Sequence, residues 1–526
     1  MRRVLFLCLS VLLILNCAMA DVRLHGIFTS NMVLQREKPI PVWGWAAPGE
    51  DIIVTLDTDT AKAKADNKGA WQVELPARAT GENLDMTVIG KNTITLKNLI
   101  MGDIWVCSGQ SNMEFTANGS NTPEDIKTSD IPKIRCFKVN HTPSGNAEVD
   151  FPKWSPHGPW QICNPQTVGR FTAVGFYFAR EIVQQTGVPI GIIDDNWGGT
   201  AIEPWIAPTT LDAVTEMAPL KKNYDNAWAA YNKQLPAQLD KVDEWIKATR
   251  AAIANNQELP ALIELPRNPI WSNGDGVKSF ALFNGMISPI IRVPITGALW
   301  YQGESNGGDD DIYYHKMRAL IGGWRTLWKQ GDFPFYFVQL ANFTTVSTNP
   351  AGGDGYAKIR NAQTKSMSIP HTGMATIIDI GEANDIHPKN KQDVGKRLSL
   401  WALKNDYGKK DITVTSGPMF KSLVVEGNKI RITFDSVGSG LFVGQKNGRN
   451  PVIEDIGGKL QRFAIAGEDK NWVWADAVIE GDNVIVSSDK VPAPVAVRYA
   501  YAANPAGCNL YNKENLPAVP FKSDNW

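Results

Sequence analysis

Ser111 lies in Gly109-Gln110-Ser111-Asn112-Met113, directly after the uncharged run Ile104-Trp105-Val106-Cys107. A strand that breaks into a Gly turn with one presented hydroxyl is a common mount for a nucleophile. Ser, Gly and Asn are also ordinary β-turn residues, so a purely structural turn fits the same stretch. A nucleophilic serine needs an imidazole to take its proton and a carboxylate to hold the other ring nitrogen. Of the six histidines, His387 differs from the rest: it lies just past a strand-like run, two residues after Asp385, with Pro388 stiffening the loop. His25 falls in a β-rich stretch and reads as structural, His141 and His157 fall in a Pro-rich loop, His315 on a helical stretch and His371 next to Pro370. Acyl transfer also needs donors for an oxyanion. Gly198-Gly199 offer unobstructed backbone N–H groups, and Gln302 and Asn306 in Gln302-Gly303-Glu304-Ser305-Asn306 offer side-chain amides.

These residues fall at the ends of segments that must position them. Phe171 to Thr186 has helical apolar spacing and stops at Gly187. Pro189 to Asp194 reads as a buried strand running into Asn196-Trp197-Gly198-Gly199. Ile295 to Tyr301 is a strand before Gln302, Tyr313 to Lys329 a helix, Pro334 to Leu340 a strand. Met374 to Asp379 is the strand before Asp385 and His387, and Lys391 to Lys404 is the closing helix. Alternating strands and helices imply a doubly wound α/β/α parallel sheet, whose sites gather at the carboxyl ends of the strands. Before about residue 100 and after about 408, short alternating runs punctuated by Gly, Pro and Asn read as all-β modules, sandwich or jelly-roll. The expected organisation is therefore 21–100 β-sandwich, 101–408 catalytic α/β domain and 409–526 β module. Residues about 205–275 are a largely charged helical insertion, read as two helices broken near Pro236.

A chain of 526 residues is too long for one core. Its formal charge of −1 lacks the footprint of a nucleic-acid binder. The 18 tryptophans suit a β-rich protein that stacks aromatics on sugars, although core filling accounts for most of them. Arg2-Arg3, the apolar run Val4 to Leu15 and Ala18-Met19-Ala20 read as a secretory leader cleaved after about Ala20, giving a secreted or periplasmic protein. Lipid anchoring through Cys17 fits less well, because Asn16 precedes it. No later stretch is long and apolar enough to span a bilayer. Cys107, Cys136, Cys163 and Cys508 follow the leader; Cys136–Cys163 is the candidate disulfide and Cys107 reads as a buried thiol. The cysteine and histidine spacing contains no metal motif.

Gly109 to Met113, Trp300-Tyr301-Gln302-Gly303-Glu304 and Asp385-Ile386-His387-Pro388 together resemble the sialate O-acetylesterase family, within the SGNH (GDSL-like) hydrolases. Asn31 to Arg36, Pro41 to Trp45, Phe283 to Ile287 and the tail from Asn509 to Trp526 resemble it too, so the likeness runs nearly the whole length. The resemblance implies a serine esterase, needing no metal or other cofactor, that removes O-acetyl groups from sialic acids. By position, Ser111 is its nucleophile, His387 its general base and Gly198 or Gly199 its oxyanion glycine. The wider superfamily places its Asp three residues before the His, where this chain has Asn384. Asp385 is then the expected acid, with Glu382 in reserve and a Ser–His dyad as the remaining form. Gly303-Glu304-Ser305-Asn306 replaces the usual Gly-x-Asn-Asp, so Gln302 and Asn306 are oxyanion or positioning candidates, and Glu304 is an alternative acid or loop support. Three other functions share some of these residues. They are an acetylxylan or other plant-polysaccharide acetylesterase with the same machinery, a non-catalytic glycan-binding protein, and a glycosidase pairing Glu304 with Asp385.

Overall fold

A single strand of 17 residues, β1 (Thr93–Gly109), joins two parts of the molecule. Its first half alternates exposed and buried side chains; its second half, from Leu99, is buried throughout. The pattern records two environments: a sheet with one wet face, then a sheet covered on both faces. The computed structural model describes residues 21–155, 157–271 and 277–526; the leader reading for 1–20 lies outside them.

The exposed half of β1 pairs with Leu84–Ile89, which continues to Asp51–Leu56 and Asp59–Lys64. This sheet faces a second one made of Arg23–Leu24, Ile40–Trp45 and Ala70–Leu75. Trp43, Val54, Trp71 and Val88 are among the side chains buried in this part of the core. The change of character read at residue 100 thus falls inside one continuous strand.

The buried half of β1 is the middle of the main sheet. With β2 (Ile131–Lys138), β3 (Ile190–Asn196), β4 (Gly297–Tyr301), β5 (Phe335–Gln339) and β6 (Thr372–Thr376), the parallel order is β2-β3-β1-β4-β5-β6. Gln161–Cys163 adds an antiparallel edge beside β2. On one face lie α1 (Ala173–Thr186) and α5 (Lys391–Asn405): Phe178 of α1 meets Trp105 of β1, and Trp401 of α5 meets Tyr336 of β5. On the other lies α3 (Ile312–Trp328), whose Trp324 packs edge-on against Trp300, with α4 (Ala357–Lys365) beside it. The chain is a mixed α/β protein with a large mixed sheet and several antiparallel β sheets. After residue 418, two four-stranded antiparallel sheets enclose a separate core of Ile430, Ile432, Phe463, Ile465, Val484 and Val497.

Two expectations are corrected. Among the described residues the insertion contains one α-helix, α2 (Ala218–Ala254), 37 residues long and continuous through Pro236. Pro236 is exposed, so neighbouring turns and water tolerate the lost N–H without a break. Cys136 and Cys163 are both free and buried. They lie on adjacent antiparallel strands but in different register: Cys136 faces Gln161, and Cys163, past a bulge, faces Ile131. Cys107 is a buried free thiol, with burial pushing its pKa up. Among the described residues no helix is long and apolar enough to cross a membrane.

Replacing Pro236 by Ala restores the missing donor to the Asn232 carbonyl. Pro236→Ala is expected to stabilise α2 by about 1–3 kcal/mol, read as increased hydrogen-exchange protection around residues 232–240. Unchanged protection there would mean that the proline is not a weak point of the helix.

Candidate functional site

The loops after β1, β3 and β4 start level with one another, because Gly109 is the register partner of both Asn196 and Tyr301. Gly109 has φ +136° and the Tyr301 carbonyl oxygen where a Cβ would stand, 2.2 Å away. Only glycine lets the chain turn here. Gln110 N–H then donates to the Tyr301 carbonyl at 3.0 Å, and Trp197 N–H to the Gly109 carbonyl at 3.1 Å. These bonds fix the start of a one-turn helix, Ser111–Glu114, with half-buried Ser111 as its first residue.

His387 comes from the loop after β6. Asn390 caps α5 three residues later, its side chain accepting from Asp393 N–H at 3.1 Å, which anchors the far end of that loop. His387 Nε2 lies 2.8 Å from Ser111 Oγ, across 276 residues of sequence. On its other side, His387 Nδ1 is 3.7 Å from Asp385 Oδ1, longer than a direct hydrogen bond. The same carboxylate oxygen accepts the His387 backbone N–H at 2.9 Å, and the other is held by the Lys389 ammonium. The Lys389 hydrogen bond, followed by that from His387 N–H, holds the Asp385 carboxyl below its ordinary range. Glu382 is turned elsewhere, accepting the Lys389 backbone N–H at 2.8 Å. The Phe115 ring lies nearly parallel to His387, 20° between planes and 6.1 Å between centroids.

The glycine turn is engaged from beneath. Gly198 N–H donates to Glu114 Oε2 at 2.6 Å, so this donor is already occupied. Glu114 Oε1 lies 3.0 Å from His141 Nε2, and the His141 ring stacks on Trp197 at 4.3 Å and 5°. Burial would raise Glu114, but the His141 hydrogen bond and the charge of Lys138 outweigh it and hold the carboxyl low. Gly199, exposed at φ +74°, has open space around it.

Gln302 and Asn306 come close to the site but point inward. Gln302 Nε2 donates to Gln110 Oε1, the Thr200 carbonyl and Asn306 Oδ1, while its Oε1 accepts from Tyr313 at 2.8 Å. Asn306 Oδ1 also accepts Ile202 N–H, and its Nδ2 donates to Glu203 and Asp309. Neither amide has a donor left for an oxyanion. Both fasten the loop after β4 to those after β1 and β3. Glu304 Oε1 accepts from Asn112, its Oε2 is buried without a hydrogen-bond partner among the described residues, and burial raises its carboxyl. Trp205 is fully buried and so is packing, whereas Trp197 is half-buried at the rim.

Sequence reasoning passed over Glu114, Asn112, Lys389 and Lys391. Ser111-Asn112-Met113-Glu114 has the spacing of a capping box, which would have aimed Glu114 at its own helix; the carboxylate bonds Gly198 instead. Among the described residues, no three His, Cys, Asp or Glu side chains gather as a metal cage.

The family model of a carbohydrate esterase, sialic acid-specific acetylesterase, matches residues 101–242 and 270–403. The sialate O-acetylesterase of Rattus norvegicus is 28% identical over 95% of this chain and 94% of its own length. That of Homo sapiens is 25% identical over 95% and 92%. A crystal structure of a carbohydrate acetylesterase from Xanthomonas citri superposes with a TM-score of 0.77 at 36% identity, covering 96% of this chain and 100% of that one.

His387 is held below the ordinary imidazole value of 6.5, first by burial and then by the positive charge of Lys391, with Asp385 opposing. Its neutral form therefore persists to lower pH than in a free histidine. For stability the sign is the same. The unfolded chain takes up this proton first, so the stability associated with neutral His387 is present above 6.5 and is lost as pH falls through the folded value. The acid limb of kcat/KM is expected to have its midpoint below 6.5, measured on an uncharged acetyl ester. A midpoint at or above 6.5 would contradict this electrostatic account.

Proposed function

The chain belongs to the sialic acid-specific acetylesterase family of carbohydrate esterases, and on that premise we propose that it is a secreted serine esterase that hydrolyses O-acetyl esters of sialic acids. The observation that carries the mechanism is the 2.8 Å contact between Ser111 Oγ and His387 Nε2 at the carboxyl end of the central strand. His387 takes the hydroxyl proton as Ser111 attacks the acetyl carbonyl. The resulting oxyanion is met by the backbone N–H groups of Ser111 and Gly199, since Gly198 N–H is spent on Glu114. Collapse expels the sugar hydroxyl, which takes its proton from the imidazolium. Water, deprotonated by the same imidazole, then releases acetate from the acetyl-enzyme.

Asp385 is the acid in this reading. It fixes the His387 backbone directly and faces Nδ1 at 3.7 Å, stabilising the imidazolium by charge. Because Lys389 shares the carboxylate and the group is over one-third exposed, its contribution is smaller than that of a buried triad Asp. Secretion rests on the sequence of residues 1–20.

A second reading is an esterase of acetylated plant polysaccharide, since the Xanthomonas citri relative is named for carbohydrate without further specification. Acetate release measured in parallel from O-acetylated sialic acid and acetylated xylan separates the two. Ser111→Ala is expected to abolish release from either substrate while leaving the melting temperature close to that of the parent. Turnover retained in that variant would remove the serine mechanism, and glycan binding without any turnover in the parent would favour a binding protein. Asp385→Asn is expected to lower kcat by about 10- to 100-fold, and Glu382→Gln by less than about threefold. The reverse ranking in the same assay would transfer the acid role to Glu382.

A further inference from the structure

Directly behind the nucleophile lies a buried polar unit that the serine mechanism does not use. Asn112, next to Ser111 in sequence, is 1% exposed, and Lys391, the first residue of α5, is fully buried. Asn112 Nδ2 donates to Glu304 Oε1 and, at 3.0 Å, to the carbonyl of Ile386. Its Oδ1 accepts from the Lys391 ammonium. The amide orientation is set by chemistry: reversed, it would turn its NH₂ toward an ammonium and its oxygen toward a carboxylate and a carbonyl.

This arrangement joins three chain segments at one side chain. Asn112 follows the nucleophile, Ile386 precedes the base, and Glu304 lies on the turn after β4. Lys391 lies over the Phe115 ring at 5.0 Å and the Tyr301 ring at 5.1 Å, and Phe115 is the ring beside His387. The site's two reacting side chains come from loops separated by most of the domain, and no other hydrogen bond described above links the Ser111 turn directly to the backbone of the His387 loop.

We propose that Asn112, clamped between Glu304 and Lys391, is a positioning residue that sets the separation of Ser111 Oγ and His387 Nε2. The proposal rests on the serine-esterase reading and deepens it. Asn112 touches neither substrate nor the reacting atoms. Glu304 fixes the amide from the β4 side and Lys391 from the α5 side, so the carbonyl of Ile386, and with it His387, is held at one distance from the Ser111 turn. Burial drives Lys391 down to about 7 and raises Glu304. The amide between them lets both groups stay in place without a direct ion pair.

The test is steady-state hydrolysis of p-nitrophenyl acetate by the full chain, with circular dichroism and melting temperature recorded for each variant. Asn112→Ala is expected to lower kcat about tenfold or more with KM within about twofold. Glu304→Ala is expected to fall in the same way, and Glu304→Gln, which keeps an acceptor for the amide, to recover kcat to within about threefold of the parent. Parent-like kcat in Asn112→Ala, or a raised KM at unchanged kcat, overturns the proposal. Should Asn112→Ala fail to fold, the two Glu304 variants decide: a lower kcat in Ala than in Gln supports it, and equal kcat overturns it. Ser111→Ala keeps the two readings apart. If it is inert while Asn112→Ala is fully active, only the positioning role fails; if it is active, the serine reading itself fails.

Discussion

The alignment of three parallel strands at Gly109 is the constraint on which the site depends. Parallel pairing places Asn196, Gly109 and Tyr301 at one level, so the chain leaves the sheet three times within a few ångströms. A side chain at Gly109 would collide with the Tyr301 carbonyl, and the turn that lifts Ser111 out of the sheet would move with it. Chain crossover from β3 over β1 to β4 opens the crevice there, the usual location of a ligand in an open α/β sheet. His387 arrives from β6, two strands beyond β4, and so cannot be positioned by ladder bonds to β1. It needs side-chain contacts instead, which explains the concentration of buried amides between the loops.

The same region also holds buried charge. Asp194, Asp195, Glu304 and Lys391 all lie within the domain around the strand ends. An isolated buried charge is strongly disfavoured unless it is paired, hydrogen-bonded or neutralised. Here each solution is used: Asp194 pairs with Lys138, Asp195 is driven by burial far above the ordinary carboxyl range, and Lys391 is driven toward neutrality. The consequence lies in His387, where burial and then the charge of Lys391 favour the neutral imidazole, the form the proposed mechanism requires of it. Burial and the charge of Lys391 lower the imidazole pKa, against the opposing charge of half-buried Asp385.

Much of this was legible in the sequence, and the gaps have physical causes. Periodicity found α1, α3 and α5 and the strands before Ser111, Gly198, Gln302 and His387, because fully buried parallel strands are short apolar runs with abrupt polar ends. Ser111 and His387 each fit an ordinary turn or loop on local grounds, and were singled out by their joint placement at strand ends and by the family resemblance. Glu114 was missed because its bond to Gly198 crosses to another strand end, which no local spacing records. Gln302 and Asn306 read as oxyanion donors because an amide's direction depends on tertiary neighbours absent from the sequence. The proline-broken helix failed for a related reason: Pro236 removes one bond, and a long exposed helix tolerates that when the turns on either side continue.

The C-terminal β module has a structural task visible in its contacts with the domain of the main sheet. Arg360 of α4 is buried and donates to the carbonyls of Leu340 and Ala341, just past β5, and to those of Ala502 and Ala503 in the module. A guanidinium among four carbonyls, with no carboxylate, has its pKa lowered to about 10 by burial and is retained through geometry: five fixed donors match four acceptors drawn from two chain regions. Nearby, Asp379 is paired with Arg397 and accepts from Tyr511 of the module at 3.2 Å. Asp379 opens the loop that carries His387, and Arg397 lies on α5, which closes it. The module therefore braces the start of that loop through Tyr511 and its end through the Gly448 carbonyl, which accepts from Asn390, while Asn112 bonds the Ile386 carbonyl within it. Removing the module would expose the Asp379–Arg397 pair to water and take away the Tyr511 contact at the start of the His387 loop, which the parallel ladder around β1 does not itself hold.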